Sequence, residues 1–269
     1  MRSGQKGIAW NTVHRWLERA AVACRRFNET RIEAIEIVEL QADEIRTFVG
    51  AKKDPVWIFA ALEVCSRYWP STVVGDRSKD NAVELFQGLA QGAHVMDKAL
   101  VVTDGFTPYE SAARQVFGSV HLYGQVLKTR QNDRIIRVER RQVIGSSAEL
   151  EKALEASEDS SSLNTSFIER LNLTIRQACS YLTRRTTCHA RSQDHLKGQL
   201  EMVRCHYNFL RPHRALKFGR LTKTPAMQAG LVSGRLSFRE VFLRRLLYAI
   251  WIRFSSRTET KSPPVAMAA

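Results

Sequence analysis

The sequence lacks the cysteine patterns that mark zinc modules and disulfide-rich proteins. Its five cysteines are an odd number and include no C-x-x-C pair, so neither kind of framework is indicated. The amino terminus also lacks the charged-then-apolar layout of a signal peptide. The most apolar late stretch, residues 246–252, is far too short to span a bilayer. These absences favour a cytoplasmic protein with reduced thiols.

Acidic residues are scarce relative to basic ones. The chain of 269 residues has 41 Lys and Arg against 27 Asp and Glu, which leaves a net charge of +14. A chain this basic usually binds a polyanion, and nucleic acid is the commonest one. The alternative that charge alone leaves open is a ribosomal or otherwise merely basic soluble protein.

Alternating and continuous apolar runs predict an α/β protein. The central region is predicted to contain, in order, strands 34–44, 56–64 and 71–76, helix 79–92, strand 99–104, helix 108–117 and strand 119–123. This order favours a mixed sheet with helices packed on it. A basic segment follows at 128–144, then an acidic helix at 149–158, a polar linker at 157–162 and long helices at 165–183 and 192–210.

Residues 8–27 predict an amphipathic helix near the amino terminus. Trp10 and Trp16 recur at helical spacing, with His14 and Arg15 between them. A recognition helix of a helix-turn-helix and a simple packing helix are both consistent with this pattern. The two tryptophans are more commonly core residues than platforms for stacked bases.

Two aspartates lie at the ends of predicted strands. Asp104 ends an apolar strand and precedes Gly105, and ligands of open α/β sheets bind beyond the carboxyl ends of the strands. A turn aspartate is the alternative, since Asp-Gly is a common turn pair. Asp43 closes the first strand region and becomes the partner of Asp104 if the two strands are neighbours. Glu44 is expected on the opposite face of an extended strand.

Glu169 is the single carboxylate of the run N-T-S-F-I-E-R-L-N-L-T-I-R-Q at 164–177. On a helix it lies at the margin of an apolar stripe expected to pack on the sheet, formed by Ile168, Leu171, Ile175, Cys179 and Leu182. An ordinary surface glutamate is the alternative. Two strand-end aspartates with a helical glutamate form a set of hard oxygen ligands that suits Mg²⁺ or Mn²⁺.

Several ordered motifs resemble one family. They are D-E-I-R-T-F-V-G-A-K-K (43–53), V-V-T-D-G (101–105), the 164–177 run, L-T-R-R-T (182–186), Y-N-F-L-R-P-H-R-A-L (207–216) and T-P-A-M-Q-A-G-L (224–231). Together, over about residues 8–240, they resemble bacterial insertion-sequence transposases of the DDE class. Asp-Gly alone is a weak signal, but the ordered set is specific.

The resemblance implies a ribonuclease-H-like core, as in retroviral integrases, with a mixed five-stranded sheet flanked by helices. It implies a short helical DNA-binding segment at 1–30, a catalytic core at 34–217 with a basic insertion at about 126–163, and an extension at 218–269 with a disordered end. The chain begins close to its first helix, so the helix-turn-helix is expected to be incomplete.

The resemblance also implies metal-dependent cleavage of transposon ends and strand transfer into target DNA. Asp43, Asp104 and Glu169 take the three acidic positions and hold Mg²⁺ or Mn²⁺. The residues expected at DNA phosphates are Lys52, Lys53, Arg170, Arg176, Arg184, Arg185, His14 and Arg15. A homodimer or higher oligomer on terminal inverted repeats, in the bacterial cytoplasm at the nucleoid, is implied as well.

Two other functions stay open at this point. One is a truncated, catalytically inactive remnant that only binds DNA, and the other is a metal-dependent nuclease without strand transfer. His213, in the R-P-H-R turn, is expected to pack that turn rather than to act as a general base, because Pro212 marks a helix end.

Overall fold

A six-stranded mixed sheet forms the centre of the protein. The computed structural model describes residues 8–30, 35–118, 121–132, 134–157, 159–184 and 187–242. The strands are β1 (Glu36–Phe48), β2 (Pro55–Glu63), β3 (Ser71–Gly75), β4 (His94–Thr103), β5 (Leu122–Gln131) and β6 (Arg134–Ile144), in the spatial order β3-β2-β1-β4-β5-β6. A separate ribbon pairs β7 (Lys217–Phe218) with β8 (Leu221–Thr222).

The strand directions bring the first and fourth strands side by side. β1 pairs antiparallel with β2 and parallel with β4, and β4 pairs parallel with β5. The register sets Ala42 of β1 beside Thr103, the last residue of β4. The residues that follow these two positions, Asp43 and Asp104, are therefore neighbours at the carboxyl end of β4.

Helices cover both faces of the sheet. They are α1 (Trp10–Glu29), α2 (Lys79–Gly92), α3 (Pro108–Phe117), α4 (Ser147–Ala156), α5 (Ser166–Ala178), α6 (Gln193–Cys205) and α7 (Pro225–Gln228). α6 continues into a π-helical turn at His206–Leu210. None of the helices in the described ranges is both long and apolar enough to cross a membrane.

Side-chain alternation along β1 divides the core into two layers. Leu40 and Ala42 belong to the cluster that contains the apolar faces of α2 and α3. Ile45 belongs to the other cluster, which contains Ile168 and Leu200 of α5 and α6. The apolar stripe predicted for the 165–183 helix is buried, from Ile168 through Leu182. The fold is thus the predicted α/β, ribonuclease-H-like architecture.

The sheet has one strand more than predicted. Residues 128–144, interpreted from the sequence as an irregular basic insertion, form the end of β5 and all of β6. The two strands make an antiparallel hairpin whose turn contains Asn132 at a φ of 49°. Most of β6 is exposed, with Ile135 and Ile136 at the surface. Because both faces of this part are solvated, the sequence shows little of the apolar alternation that marks a half-buried strand.

The buried face of α1 differs from the predicted one. Ala21, Cys24 and Phe27, in its second half, are buried, whereas the side chains of Trp10 and Trp16 are exposed, at 76% and 54%. The expectation that these tryptophans are core residues is wrong. α1 packs along α6, so the partner helix decides which stripe is covered. The described residues do not include the first seven residues, the apolar stretch 246–252 or the tail. The domain boundaries predicted from the sequence stay a prediction.

Candidate functional site

A cavity of about 670 Å³ opens at the carboxyl end of β4. Four carboxylates line it, from Asp43 and Glu44 of β1, Asp104 after β4, and Glu169 of α5. Basic side chains complete its wall, among them Arg77, Lys128, Arg176 and Arg184. The structure therefore brings Asp43, Asp104 and Glu169, which are far apart in the sequence, onto one cavity.

Asp43 lies on the face of β1 that is covered by α5. Its Oδ2 accepts a hydrogen bond from Asn172 Nδ2 at 2.9 Å, and its Oδ1 accepts one from the Glu44 backbone N–H at 2.8 Å. Burial, first of all, and the nearby charges of Asp104, Glu44 and Glu169 together raise the pKa of the Asp43 carboxyl to about 7. Ionised Asp43 is thus short of compensating positive charge.

Asp104 begins the turn that follows β4. Its Oδ1 accepts a hydrogen bond from the Phe106 backbone N–H at 3.0 Å, which holds the carboxylate at the mouth of the strand. Burial raises the pKa of this carboxyl, while that hydrogen bond and the charges of Arg77 and Lys128 oppose the rise. Asp104 therefore takes part in the turn expected of an Asp-Gly pair and also faces the cavity.

Glu44 joins this group from the opposite face of β1. Its side chain is 2% exposed and pairs with Arg77, whose Nε donates to Glu44 Oε1 at 2.7 Å. Arg77 itself stacks over the rings of Trp57 and Phe106. Burial raises the pKa of Glu44, and Asp104 adds to the rise. Glu44 lies on the opposite face of β1 from Asp43, as predicted. The carboxylates from both faces nevertheless approach Asp104, which follows the last residue of β4.

Three of the four carboxylates could share a cation. Asp43, Glu44 and Asp104 each offer one oxygen, and these oxygens all lie within 4.8 Å of one another. All three pKa values are raised, chiefly by burial and further by neighbouring carboxylates, and a bound cation would stabilise the ionised forms. The set is all oxygen, as Mg²⁺ and Mn²⁺ prefer. These residues fit a hard divalent cation.

Glu169 lies in the first turn of α5, on the same cavity but outside the 4.8 Å group. Its Oε1 accepts a hydrogen bond from Thr165 Oγ1 at 2.7 Å and forms an ion pair with the Lys128 ammonium. Lys128 also donates to Thr165 Oγ1 at 2.9 Å. The Glu169 side chain is 47% exposed, and turning toward the aspartates would require it to give up its contacts with Thr165 and Lys128.

Gln41 of β1 ties the start of α5 to the strand that carries Asp43. Its Oε1 accepts hydrogen bonds from the backbone N–H groups of Phe167 and Ile168, both at 3.1 Å. The residue that precedes the helix, Thr165, makes no side-chain cap of its own. The fully buried Gln41 thus satisfies donors that a helix start leaves unpaired, and it sets Glu169 relative to Asp43.

The predicted DNA-binding residues fall into different surroundings. Arg176 and Arg184 line the cavity, Arg170 is exposed on α5, and Lys52 and Lys53 are exposed in the β1–β2 turn. Arg15 is exposed on α1, and Arg185 lies outside the described residues. His14 instead contacts Glu18 of its own helix and His195 of α6.

His213 packs the turn after α6, as predicted. Its Nε2 lies 3.2 Å from the Tyr207 carbonyl oxygen, and its ring meets the Tyr207 ring edge-on at 4.4 Å between centroids. Burial lowers the pKa of His213 to about 4. A histidine held neutral in this way supports the turn rather than proton transfer in the carboxylate cavity.

Sequence reasoning missed five residues of the site. They are Glu44, Gln41, Arg77, Lys128 and Asn172. Asn172 carried a usable signal, since it lies three residues after Glu169 and so shares its side of the helix. Gln41 and Lys128 carried none, because their partners lie 126 and 41 residues away.

Comparison with known proteins adds a family match for part of the chain. The family described as "Integrase core domain" matches residues 153–222, which include α5, Glu169 and α6 but neither Asp43 nor Asp104. A search of curated proteins found no match. One similar solved structure is a cryo-EM structure of the piggyBac transposase synaptic complex with hairpin DNA, at 11% sequence identity and a TM-score of 0.35. The similarity covers 84% of this chain and 55% of that one, so this chain spans little more than half its length. The integrase-core match therefore supports an integrase-type domain in the part of the chain that carries Glu169.

Proposed function

We propose that this chain is a DNA transposase of the DDE class, which cleaves phosphodiesters at transposon ends and transfers the strands into target DNA. Asp43, Asp104 and Glu169 are the catalytic carboxylates. The observation that carries the proposal is the convergence of acidic side chains with raised pKa values on one cavity rimmed by cations. Basic walls around an acidic centre suit a polyanion whose reacting phosphate must meet bound metal.

The acidic residues would hold Mg²⁺ or Mn²⁺, with Asp43 and Asp104, whose oxygens lie within 4.8 Å of one another, as two ligands and Glu169 as the third. When bound, divalent cations in such a site activate the attacking water or hydroxyl and stabilise the leaving oxygen of a phosphodiester. Glu44 adds negative charge beside Asp104, but its carboxylate is already paired with Arg77, so it is not proposed as a metal ligand. The Lys128 ammonium forms an ion pair with Glu169.

The remaining residues position the DNA and the helix. Arg176 and Arg184 line the cavity next to Glu169 and would contact phosphates on either side of the reacting one. Asn172 orients Asp43 through its hydrogen bond, and Gln41 holds the start of α5. This division of labour leaves little covalent chemistry to the protein, which acts by positioning and charge neutralisation.

The finer parts of the proposal follow the sequence resemblance. The substrate would be the terminal inverted repeats of a bacterial insertion sequence, bound in the cytoplasm at the nucleoid. Joining of two ends requires at least a homodimer on DNA. The core would extend over 34–217, with α1 as part of a DNA-binding segment.

The test is strand cleavage and joining on a plasmid that carries the coding region with its flanking DNA. Wild-type protein with Mg²⁺ is expected to nick the flanks and join the ends to a second plasmid, and Asp104→Asn and Asp43→Asn are expected to abolish both. Asp54→Asn, in the exposed β1–β2 turn, is the matched control with the same chemical change. Joining that is unchanged in Asp104→Asn would refute the catalytic assignment.

Two other outcomes would replace the proposal. Cleavage without any joining identifies a metal-dependent nuclease, and retention of DNA without cleavage identifies a binding remnant. Glu169→Gln provides a separate check on the third carboxylate, since it keeps the size of the side chain and removes its charge.

A further inference from the structure

A second group of possible metal ligands lies between α1 and α6, apart from the carboxylate cavity. His14 and Glu18 of α1 and His195 of α6 each offer one ligand atom, and these atoms all lie within 4.8 Å of one another. Together with Asp194 they line a cavity of about 340 Å³. The group mixes imidazole with carboxylate, so its chemistry differs from that of the acidic cavity.

One ligand–ligand distance in the group agrees with that expected for tetrahedral zinc. His14 and Glu18 are four residues apart, so they stand one turn apart on the same side of α1. His14 Nε2 lies 3.2 Å from Glu18 Oε1, close to the roughly 3.3–3.5 Å that separates neighbouring ligands of tetrahedral zinc with bonds of about 2.0–2.2 Å. The rings of His14 and His195 meet edge-on, with centroids 4.9 Å apart.

Contacts that involve none of the three ligands hold the two helices at this spacing. Gly198 of α6 faces Ala21, and a Cβ atom at position 198 would lie 3.1 Å from the Ala21 Cβ. Further along, Asn28 Nδ2 donates to Glu201 Oε2 at 2.8 Å. The backbone of His195 is fixed as well, because its N–H donates to Ser192 Oγ at 3.2 Å at the start of α6. The ligands are therefore presented by rigid elements.

The ligand types select the ion. Two imidazoles and one carboxylate suit zinc, whereas Mg²⁺ and Ca²⁺ prefer oxygen ligands alone. The His14 and Glu18 side chains are 37% and 56% exposed, which leaves a path for the ion and room for water as a fourth ligand. Arg25 lines the same cavity, but it lies seven residues beyond Glu18, about 10 Å along the helix.

We propose that His14, Glu18 and His195 form a zinc site that clamps α1 to α6. The site lies outside the acidic cavity and does not depend on the function proposed for that cavity. A bound Zn²⁺ would link the amino-terminal helix, with its exposed tryptophans, to the helix that packs behind α5. Since only the folded chain presents all three ligands, zinc binding stabilises the folded state.

The test is zinc binding by the whole chain, stripped of metal with EDTA and then kept in excess Mg²⁺ so that the acidic cavity is supplied with its preferred ion. Wild type is expected to bind one Zn²⁺ per chain, measured by atomic emission after gel filtration. Its Tm is expected to rise by about 5 °C or more at free zinc of about 100 times Kd. Co²⁺ in place of zinc is expected to give the visible absorption of a tetrahedral site.

Three variants remove one ligand each, namely His14→Gln, Glu18→Gln and His195→Gln. Each is expected to weaken zinc binding by at least about 100-fold and to abolish the Tm rise, because loss of a direct ligand costs more than the 10–100-fold typical of an outer partner. His94→Gln, an exposed histidine of β4, and Asp104→Asn, in the acidic cavity, are expected to bind zinc as wild type does.

The variants also separate the alternatives. If wild type binds zinc no more tightly than His14→Gln does, the three residues form only a contact between α1 and α6, and the proposal is overturned. Loss of zinc in Asp104→Asn with retention in His14→Gln would assign the ion to the acidic cavity and overturn it equally. If one variant fails to fold, as its Tm in EDTA would show, the other two decide.

Discussion

At the scale of single residues, the acidic cavity holds buried carboxyl groups whose ionised forms are destabilised. Asp43 has a pKa of about 7, and the pKa values of Glu44 and Asp104 are raised by the same burial. A protein gains nothing in stability by holding three carboxylates within 4.8 Å of one another. Such an arrangement is typical of functional sites, where a bound cation or substrate supplies the missing charge.

The first prediction concerns Asp43→Asn in EDTA. Asp43 has a folded-state pKa raised above its unfolded value, so its favourable contribution is complete at low pH and is lost as the pH rises through about 7. At pH 8 the variant is therefore expected to be more stable than wild type, by up to about 4 kcal/mol, since the rise from 3.8 to about 7 is about 3 pKa units and each unit corresponds to about 1.36 kcal/mol. The advantage is expected to shrink at pH 5, where folded wild type is protonated.

Thermal or urea unfolding of both proteins at the two pH values measures this difference. Asp54→Asn, in the exposed turn, is the control and is expected to change stability little at either pH. A variant less stable than wild type at pH 8 would show that the hydrogen bonds to Asp43 outweigh its unrelieved charge.

At the scale of secondary-structure elements, the site depends on how α5 is docked on β1. α5 begins without a side-chain cap from its own flanking residue, and Gln41 from the strand replaces it. The strand that carries Asp43 therefore also fixes the helix that carries Glu169. Helix ends with unpaired N–H groups are costly when buried, which makes this contact both stabilising and directional.

The second prediction is that Gln41→Met lowers the free energy of unfolding by about 1–3 kcal/mol, because the buried Ile168 N–H and the partly buried Phe167 N–H lose their acceptor. It is also expected to lower metal-dependent DNA cleavage more than DNA binding, since Glu169 loses its fixed position. Chemical unfolding and cleavage at a temperature where the variant is folded provide the two measurements. Gln177→Met, on the exposed side of α5, should change neither.

At the scale of the whole molecule, charge governs association. A net charge of +14 favours association with polyanions, and the β5–β6 hairpin at the edge of the sheet contributes six cationic side chains. Binding to DNA is therefore expected to weaken steeply as salt rises, because each neutralised phosphate releases counterions. The slope of log K against log salt is proportional to the number of phosphates that the protein neutralises.

The third prediction uses that slope. Lys52→Ala combined with Lys53→Ala is expected to reduce its magnitude by about 2, if both lysines of the β1–β2 turn contact phosphates. Lys217→Ala with Arg220→Ala removes the same charge from the exposed β7–β8 ribbon and is expected to leave the slope nearly unchanged. Fluorescence anisotropy of labelled duplex DNA over a range of salt measures both. Equal effects of the two pairs would mean that binding responds to total charge and not to the turn.

The sequence by itself determined the class of the fold and the order of its elements. Period-two and period-3.6 patterns are local, so the first four strands and most of the helices could be predicted within about five residues of their observed bounds. The fifth strand lies at Leu122–Gln131 rather than at the predicted 119–123. Asp104 could be expected at a sheet edge because the strand before it is a continuous apolar run. The excess of basic residues could be read by counting.

Only the tertiary structure decided which side chains meet. The parallel register of β1 and β4 places Asp43 beside Asp104. Glu44, on the other face of β1, also brings its carboxylate within 4.8 Å of theirs. The partner helix selected the buried face of α1 and brought His14 to His195. Pairing with β5 turned a basic segment into a strand. These outcomes depend on contacts between residues far apart along the chain, and local patterns carry no information about such contacts.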